Sequence, residues 1–63
     1  MNEQEYKLNR EWLEDPDNRK RYKGEFVVLR AGVLISHSRN FVRLYRKYGC
    51  LMSTGNLIVR VYE

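Results

Sequence analysis

Residues 24–49, GEFVVLRAGVLISHSRNFVRLYRKYG, decide the fold, because they carry most of the large apolar side chains. The segment from Glu25 to Arg30 is rich in β-branched and aromatic residues and is apolar on both faces. Such a run predicts a central strand that is covered on two sides. Ala31-Gly32 is a compact two-residue turn, and Val33 to His37 returns as a second strand. The stretch therefore predicts a β-hairpin.

The hairpin leads directly into a predicted amphipathic helix. Ser38 is a suitable N-cap for a helix from Arg39 to Tyr48, and Gly49 closes it. Apolar residues recur with helical spacing and predict a stripe that faces the sheet, formed by Phe41, Leu44, Tyr45 and Tyr48. A separate stripe is basic and consists of Arg39, Arg43, Arg46 and Lys47.

The residues before the hairpin predict two helical segments. Glu3 to Glu14 has a helical composition with little apolar content, so Trp12 and Leu13 are the expected anchors to the rest of the protein. Asp15 precedes Pro16 and can cap a second, short helix from Asp17 to Tyr22. We expect this N-terminal segment to act as a helical lid.

After the helix, Cys50 to Asn56 is a predicted loop, and Leu57 to Tyr62 alternates as a last strand. The chain is thus an α+β protein of order α-α-β-β-α-β, with a three-stranded antiparallel sheet in the order 2-1-3. Residues 1–63 form a single domain, with the helical lid at 1–23 and a ββαβ core at 24–63. The predicted core anchors are Trp12, Leu13, Phe26, Val28, Phe41, Leu44, Tyr45 and Tyr48.

Chain length limits how stable this core can be. A chain of 63 residues buries only about 60% of its unfolded surface. The single cysteine cannot form an internal disulfide, and no Cys/His cluster has zinc spacing. Both edges of the predicted sheet are open, which favours pairing with another chain. We therefore expect a homodimer or docking on another protein.

Catalytic and membrane functions find little support in the sequence. His37 stands alone, and its neighbours Ser36 and Ser38 point to the other face of a strand. From Phe26 to Tyr62 there is no carboxylate for acid–base chemistry or a hard metal ion. We expect no enzyme, cofactor, metal or small-molecule substrate.

The charged N-terminus, the absence of a long apolar run and the lone Cys50 predict a cytoplasmic protein without membrane contact.

Charge is distributed unevenly along the chain, whose formal net charge is +4. Residues 1–25 carry six basic and seven acidic side chains, whereas Phe26 to Tyr62 carries six basic ones and no acidic one. A positive field of this kind favours an anionic partner such as nucleic acid, and the acidic N-terminal segment, in cis or across a dimer, would match it equally. The candidate binding residues are these six cations: Arg30, Arg39, Arg43, Arg46, Lys47 and Arg60.

The segment from Trp12 to Tyr48 resembles a family of short prokaryotic proteins, a domain of unknown function. The shared features are a Trp-Leu helix end, a Tyr-x-Gly-x-Phe-Val strand start, a glycine-turn hairpin and a following helix. Here they are Trp12-Leu13, Tyr22 to Val27, Ala31-Gly32 and Arg39 to Tyr48, and Ile58 to Val61 is similar too. Family members tend to have an acidic helix where this one is basic. The resemblance implies the fold and no activity.

Three functions fit these features. The first is a small protein-interaction or adaptor module, homodimeric, with a basic helix face for an acidic partner. The second is a nucleic-acid-binding accessory protein that uses the stripe of Arg39, Arg43, Arg46 and Lys47. The third is a phage-type or host-defence inhibitor that binds another protein. We favour the first, because the resemblance carries no nucleic-acid motif.

Overall fold

The computed structural model describes residues 2–49 and 55–62. In chain order, the elements are α1 (Glu3–Glu14), α2 (Pro16–Arg21), β1 (Phe26–Arg30), β2 (Val33–Ser38), α3 (Phe41–Tyr48) and β3 (Leu57–Arg60). The strands form one antiparallel sheet in the order β2-β1-β3. The predicted α+β class, element order and strand order are confirmed.

The central strand β1 is buried on both of its faces. Val27, Val28 and Leu29 are consecutive and each is 0% exposed. Because side chains alternate along a strand, Val27 and Leu29 point to one face of the sheet and Val28 to the other. Both faces of β1 must therefore be covered by other elements.

One face of the sheet is covered by the N-terminal helices. Val27, Leu29 and Val61 form the core cluster, and partly buried apolar residues pack against it. These are Trp12, Leu13, Tyr22, Leu34 and Val59. The predicted anchors Trp12 and Leu13 thus contact the core, and Tyr22, at the end of α2, adds to the same layer.

The other face of the sheet is covered by α3, but less of this helix is buried than its apolar stripe predicts. Leu44 is 3% exposed, and Tyr48 is partly buried. Phe41 and Tyr45 are 43% and 54% exposed, so their prediction as core anchors is wrong. The apolar stripe of α3 covers a wider arc of the helix surface than the arc that contacts the sheet. Phe41 and Tyr45 lie at the edge of this stripe and therefore remain exposed to solvent. Phe41 still places its ring 5.2 Å from that of the partly buried Phe26.

Several boundaries differ from the prediction. Asn40, not Ser38, caps α3, because the Asn40 side chain accepts a hydrogen bond from the Arg43 N–H at 3.3 Å. Ser38 is instead the last residue of β2, and its Oγ accepts the Asn40 N–H at 3.0 Å.

Asp15 caps α2 as predicted. β3 ends at Arg60, although the Val61 N–H still donates to the Glu25 carbonyl at 2.8 Å. The predicted Cys50–Asn56 loop lies largely outside the described residues.

The two edges of the sheet are less open than expected. β2 contains a bulge, because Val28 pairs with Ser36 while Leu29 pairs with Leu34, which leaves Ile35 unpaired with β1. β3 has only four residues. Bulges and short edge strands both hinder edge-to-edge pairing. Strand-to-strand dimerisation stays a prediction, and these features weigh against it.

The hairpin turn is held by α1. Ala31 and Gly32 have φ values of 49° and 80°, the positive values that a two-residue turn of this type needs. The Gly32 N–H donates to Oδ1 of Asn9 at 2.7 Å, and Asn9 is only 1% exposed. A Cβ at Gly32 would lie 3.0 Å from Cβ of Leu8, so α1 packs directly on the turn. Asn9 is not among the anchors predicted from the sequence, because its contact with the hairpin depends on how α1 packs on the sheet.

Replacing Asn9 with alanine should lower the free energy of unfolding by about 1–3 kcal/mol, because it leaves the Gly32 N–H without its acceptor. Urea denaturation followed by Trp12 fluorescence measures this change. The exposed Lys7, on the same helix, provides the control, and Lys7→Ala should shift stability by no more than about 0.5 kcal/mol. Equal effects of the two substitutions would show that the Asn9 contact does not hold the turn.

Candidate functional site

Three of the six candidate cations lie together on α3. Arg43, Arg46 and Lys47 line an open depression of about 460 Å³ with Asn40 and Val42. All three are exposed, and no carboxylate among residues 2–49 and 55–62 forms an ion pair with them. We call these three residues the basic face.

The other three candidate cations lie outside this depression. Arg39 lies in the bend before α3 and lines no part of it. Arg30 ends β1, about 13 Å along the strand from Phe26. Arg60 lies on β3, with its guanidinium carbon 5.9 Å from the ring centre of Phe26 and 5.6 Å from that of Tyr62. The predicted six-residue face is thus one compact group of three and three separate cations.

A second depression lies where α3 crosses the edge strand β2. It has a volume of about 300 Å³, and Ser36 and Ser38 line it from the strand. Arg43 and Lys47 line it from the helix, so they border both depressions. Backbone or side-chain atoms of His37, Leu44 and Tyr48 complete the lining. We call this depression the β2–α3 groove.

The electrostatics of α3 disfavour an arginine at the position of Arg43. It lies in the first turn of α3, three residues after the cap Asn40, and this turn contains no acidic residue. The partial positive charge at a helix N-terminus disfavours a cation there. Lys47 follows Arg43 by four residues, a spacing at which like charges repel. Arg46 and Lys47 are in the last turn, where cations are favourable. Arg43 is therefore the cation whose position costs stability.

Exposed aromatic and apolar side chains border the basic face. The ring centres of Phe41 and Tyr45 are 5.7 Å apart, and the Phe41 ring also contacts the Phe26 ring. Val42, which lines the first depression, is 55% exposed. α3 thus presents cations and apolar groups side by side, a combination suited to a ligand that has both acidic and apolar groups.

The opposite face of the sheet carries a separate polar pair. Nδ1 of His37 lies 2.9 Å from Oε1 of Glu25, and the His37 ring is 4.9 Å from that of Tyr22. Sequence reasoning missed this pair, because Glu25 and His37 meet only through the hairpin register. No group of three or more metal-ligating side chains occurs in the described part of the chain. The absence of catalysis stays a prediction.

Replacing Arg43 with glutamate should raise the free energy of unfolding by about 0.5–1 kcal/mol at low salt. Glutamate at this position suits the helix dipole, completes a capping box with Asn40 and pairs with Lys47. Thermal unfolding followed by circular dichroism measures the change, and Arg43→Gln should give a smaller gain. A destabilised Arg43→Glu variant would show that the arginine makes a contact needed by the fold.

The comparisons with known proteins identify no relative. No protein-family model, curated protein or solved structure matches this chain. The resemblance to a prokaryotic domain family therefore stays a prediction. Within the ranges that the structure describes, no helix combines the length and hydropathy needed to cross a bilayer.

Proposed function

We propose that this protein is a small non-catalytic binding module whose basic face binds an acidic segment of a protein partner. One observation carries the proposal: Arg43, Arg46 and Lys47 converge on a single open depression without a carboxylate from the described residues. Arg43 lies there although a cation is unfavourable in the first turn of α3. Proteins commonly give up stability at sites that serve binding.

The arrangement of the cations favours a protein partner over nucleic acid. α3 has eight residues and is about 12 Å long, so its cations cover a short surface. Arg30 and Arg60 do not line the depression that these cations share. Val42 in the same depression, with Phe41 and Tyr45 exposed nearby, suits a peptide in which acidic and apolar side chains alternate.

Fluorescence anisotropy with a labelled peptide of alternating glutamate and leucine tests this function. Arg43→Glu should weaken peptide binding about tenfold, since it reverses one charge of the basic face. Lys20→Glu is the matched control, because it makes the same change in net charge on α2, outside both depressions. This control should bind nearly as well as the wild type.

Two outcomes of this titration would contradict the proposal. If both variants lose affinity equally, binding depends on net charge alone and not on the basic face. If single-stranded or duplex oligonucleotides bind much more tightly than the peptide, with a log–log salt slope of roughly −0.7 to −0.9 per phosphate contact, the nucleic-acid function replaces the adaptor function. The thermal measurement on Arg43→Glu separates either result from misfolding.

We also propose that the module is a homodimer. Val33 and Ile35 on β2 are 59% and 43% exposed, although both are large apolar residues. A second copy that covers them would add apolar burial that the small core lacks.

Ile35→Lys should convert the homodimer to a monomer, because it places a charge at the apolar contact. Sedimentation equilibrium over a range of protein concentrations measures the association state. Tyr6→Lys, at an exposed position of α1, is a control that should leave the dimer intact. A wild-type protein that stays monomeric at all concentrations would refute the homodimer.

A further inference from the structure

The β2–α3 groove offers hydrogen-bond donors as well as charge. Ser38 Oγ accepts the Asn40 N–H at 3.0 Å, so its own hydroxyl proton is left to donate. The Ser36 hydroxyl lines the same groove two residues earlier on the strand. Since residues i and i+2 share a face, both hydroxyls lie on the side of the sheet that α3 covers.

Two cations face these hydroxyls from the helix. Arg43 and Lys47 are one helical turn apart, and neither forms an ion pair within residues 2–49 and 55–62. An arginine can donate two parallel hydrogen bonds to one oxyanion, and a lysine adds a compact charge. The groove thus combines two positive charges with two neutral donors above the buried Leu44.

The chemistry of this donor set selects among anions. A carboxylate carries one negative charge on two oxygens. A phosphodiester also carries one charge, with two unesterified oxygens. A phosphate monoester carries a charge of about −1.5 to −2 and three acceptor oxygens. Of these three groups, only the monoester has enough negative charge for two cations and a further oxygen that can accept hydrogen bonds from the serine hydroxyls. The volume of about 300 Å³ leaves room for a phosphate group together with the side chain that carries it.

We infer that the β2–α3 groove binds a phosphate monoester, supplied by a phosphorylated serine or threonine of the protein partner. This inference rests on the proposed function, because Arg43 and Lys47 belong to the basic face as well. It adds that the partner is recognised by its phosphorylation state. Acidic side chains beside the phosphorylated residue contact Arg46, which lies outside the groove but lines the neighbouring depression.

The experiment compares three peptides of one acidic sequence, with serine, glutamate or phosphoserine at the central position. Isothermal titration gives the affinities, and amide chemical shifts from NMR report the site. The phosphoserine peptide should bind at least tenfold more tightly than the glutamate peptide, and it should shift the Ser36 and Ser38 amides.

Two variants separate the groove from the basic face as a whole. Ser36→Ala should weaken binding of the phosphoserine peptide several-fold more than binding of the glutamate peptide, because only the monoester has a third acceptor oxygen for this hydroxyl. Arg46→Gln should weaken binding of both peptides and leave their ratio unchanged, because Arg46 does not line the groove. Circular dichroism verifies that each variant is folded.

The outcomes distinguish the inference from the function on which it rests. Equal binding of the phosphoserine and glutamate peptides would overturn the inference and leave the proposed function standing. Binding of neither peptide would refute both. If a 5′-phosphorylated oligonucleotide competes more strongly than the phosphoserine peptide, the groove recognises a nucleic-acid end and the assignment to a protein partner is wrong.

Discussion

The fold depends on the burial of β1 on both faces. Val27, Val28 and Leu29 have no exposed surface, and three consecutive apolar residues of a strand cannot share one face. The sheet therefore needs two covering layers, one from α1 and α2 and the other from α3. In a chain of 63 residues this demand uses nearly all of the helical sequence. The helix α3 therefore both covers the core through Leu44 and carries the basic face.

The architecture was predictable because strong local signals agree with one another. The apolar run in β1, the turn at Ala31-Gly32 and the cap at Asp15 each determine an element without reference to distant residues. The cap of α3 was assigned to Ser38 instead of Asn40, since both residue types cap helices and both precede the apolar stripe. Because β2 extends to Ser38, the helix can begin only after Asn40. The strand propensities of the residues do not determine where β2 ends.

The candidate site was predictable in part. Helical spacing places Arg43, Arg46 and Lys47 near one another, and the structure shows them around one depression. Spacing along the chain says nothing about where Arg30 and Arg60 lie relative to α3, and these two cations do not line the depression. The contribution of Ser36 and Ser38 depends on how α3 crosses β2. That crossing is a tertiary contact, which no periodicity in the sequence encodes.

The contact between α1 and the hairpin turn also limits how this chain can vary in evolution or in the laboratory. Hairpin tips are usually the sites at which proteins accept insertions, tags and circular permutation, because the tip projects into solvent. Here Asn9 and Leu8 pack against Gly32, so the tip of the hairpin is a contact between α1 and the sheet. Homologues of this chain should therefore keep a hairpin of constant length, because an inserted residue at the tip would displace α1 from the sheet.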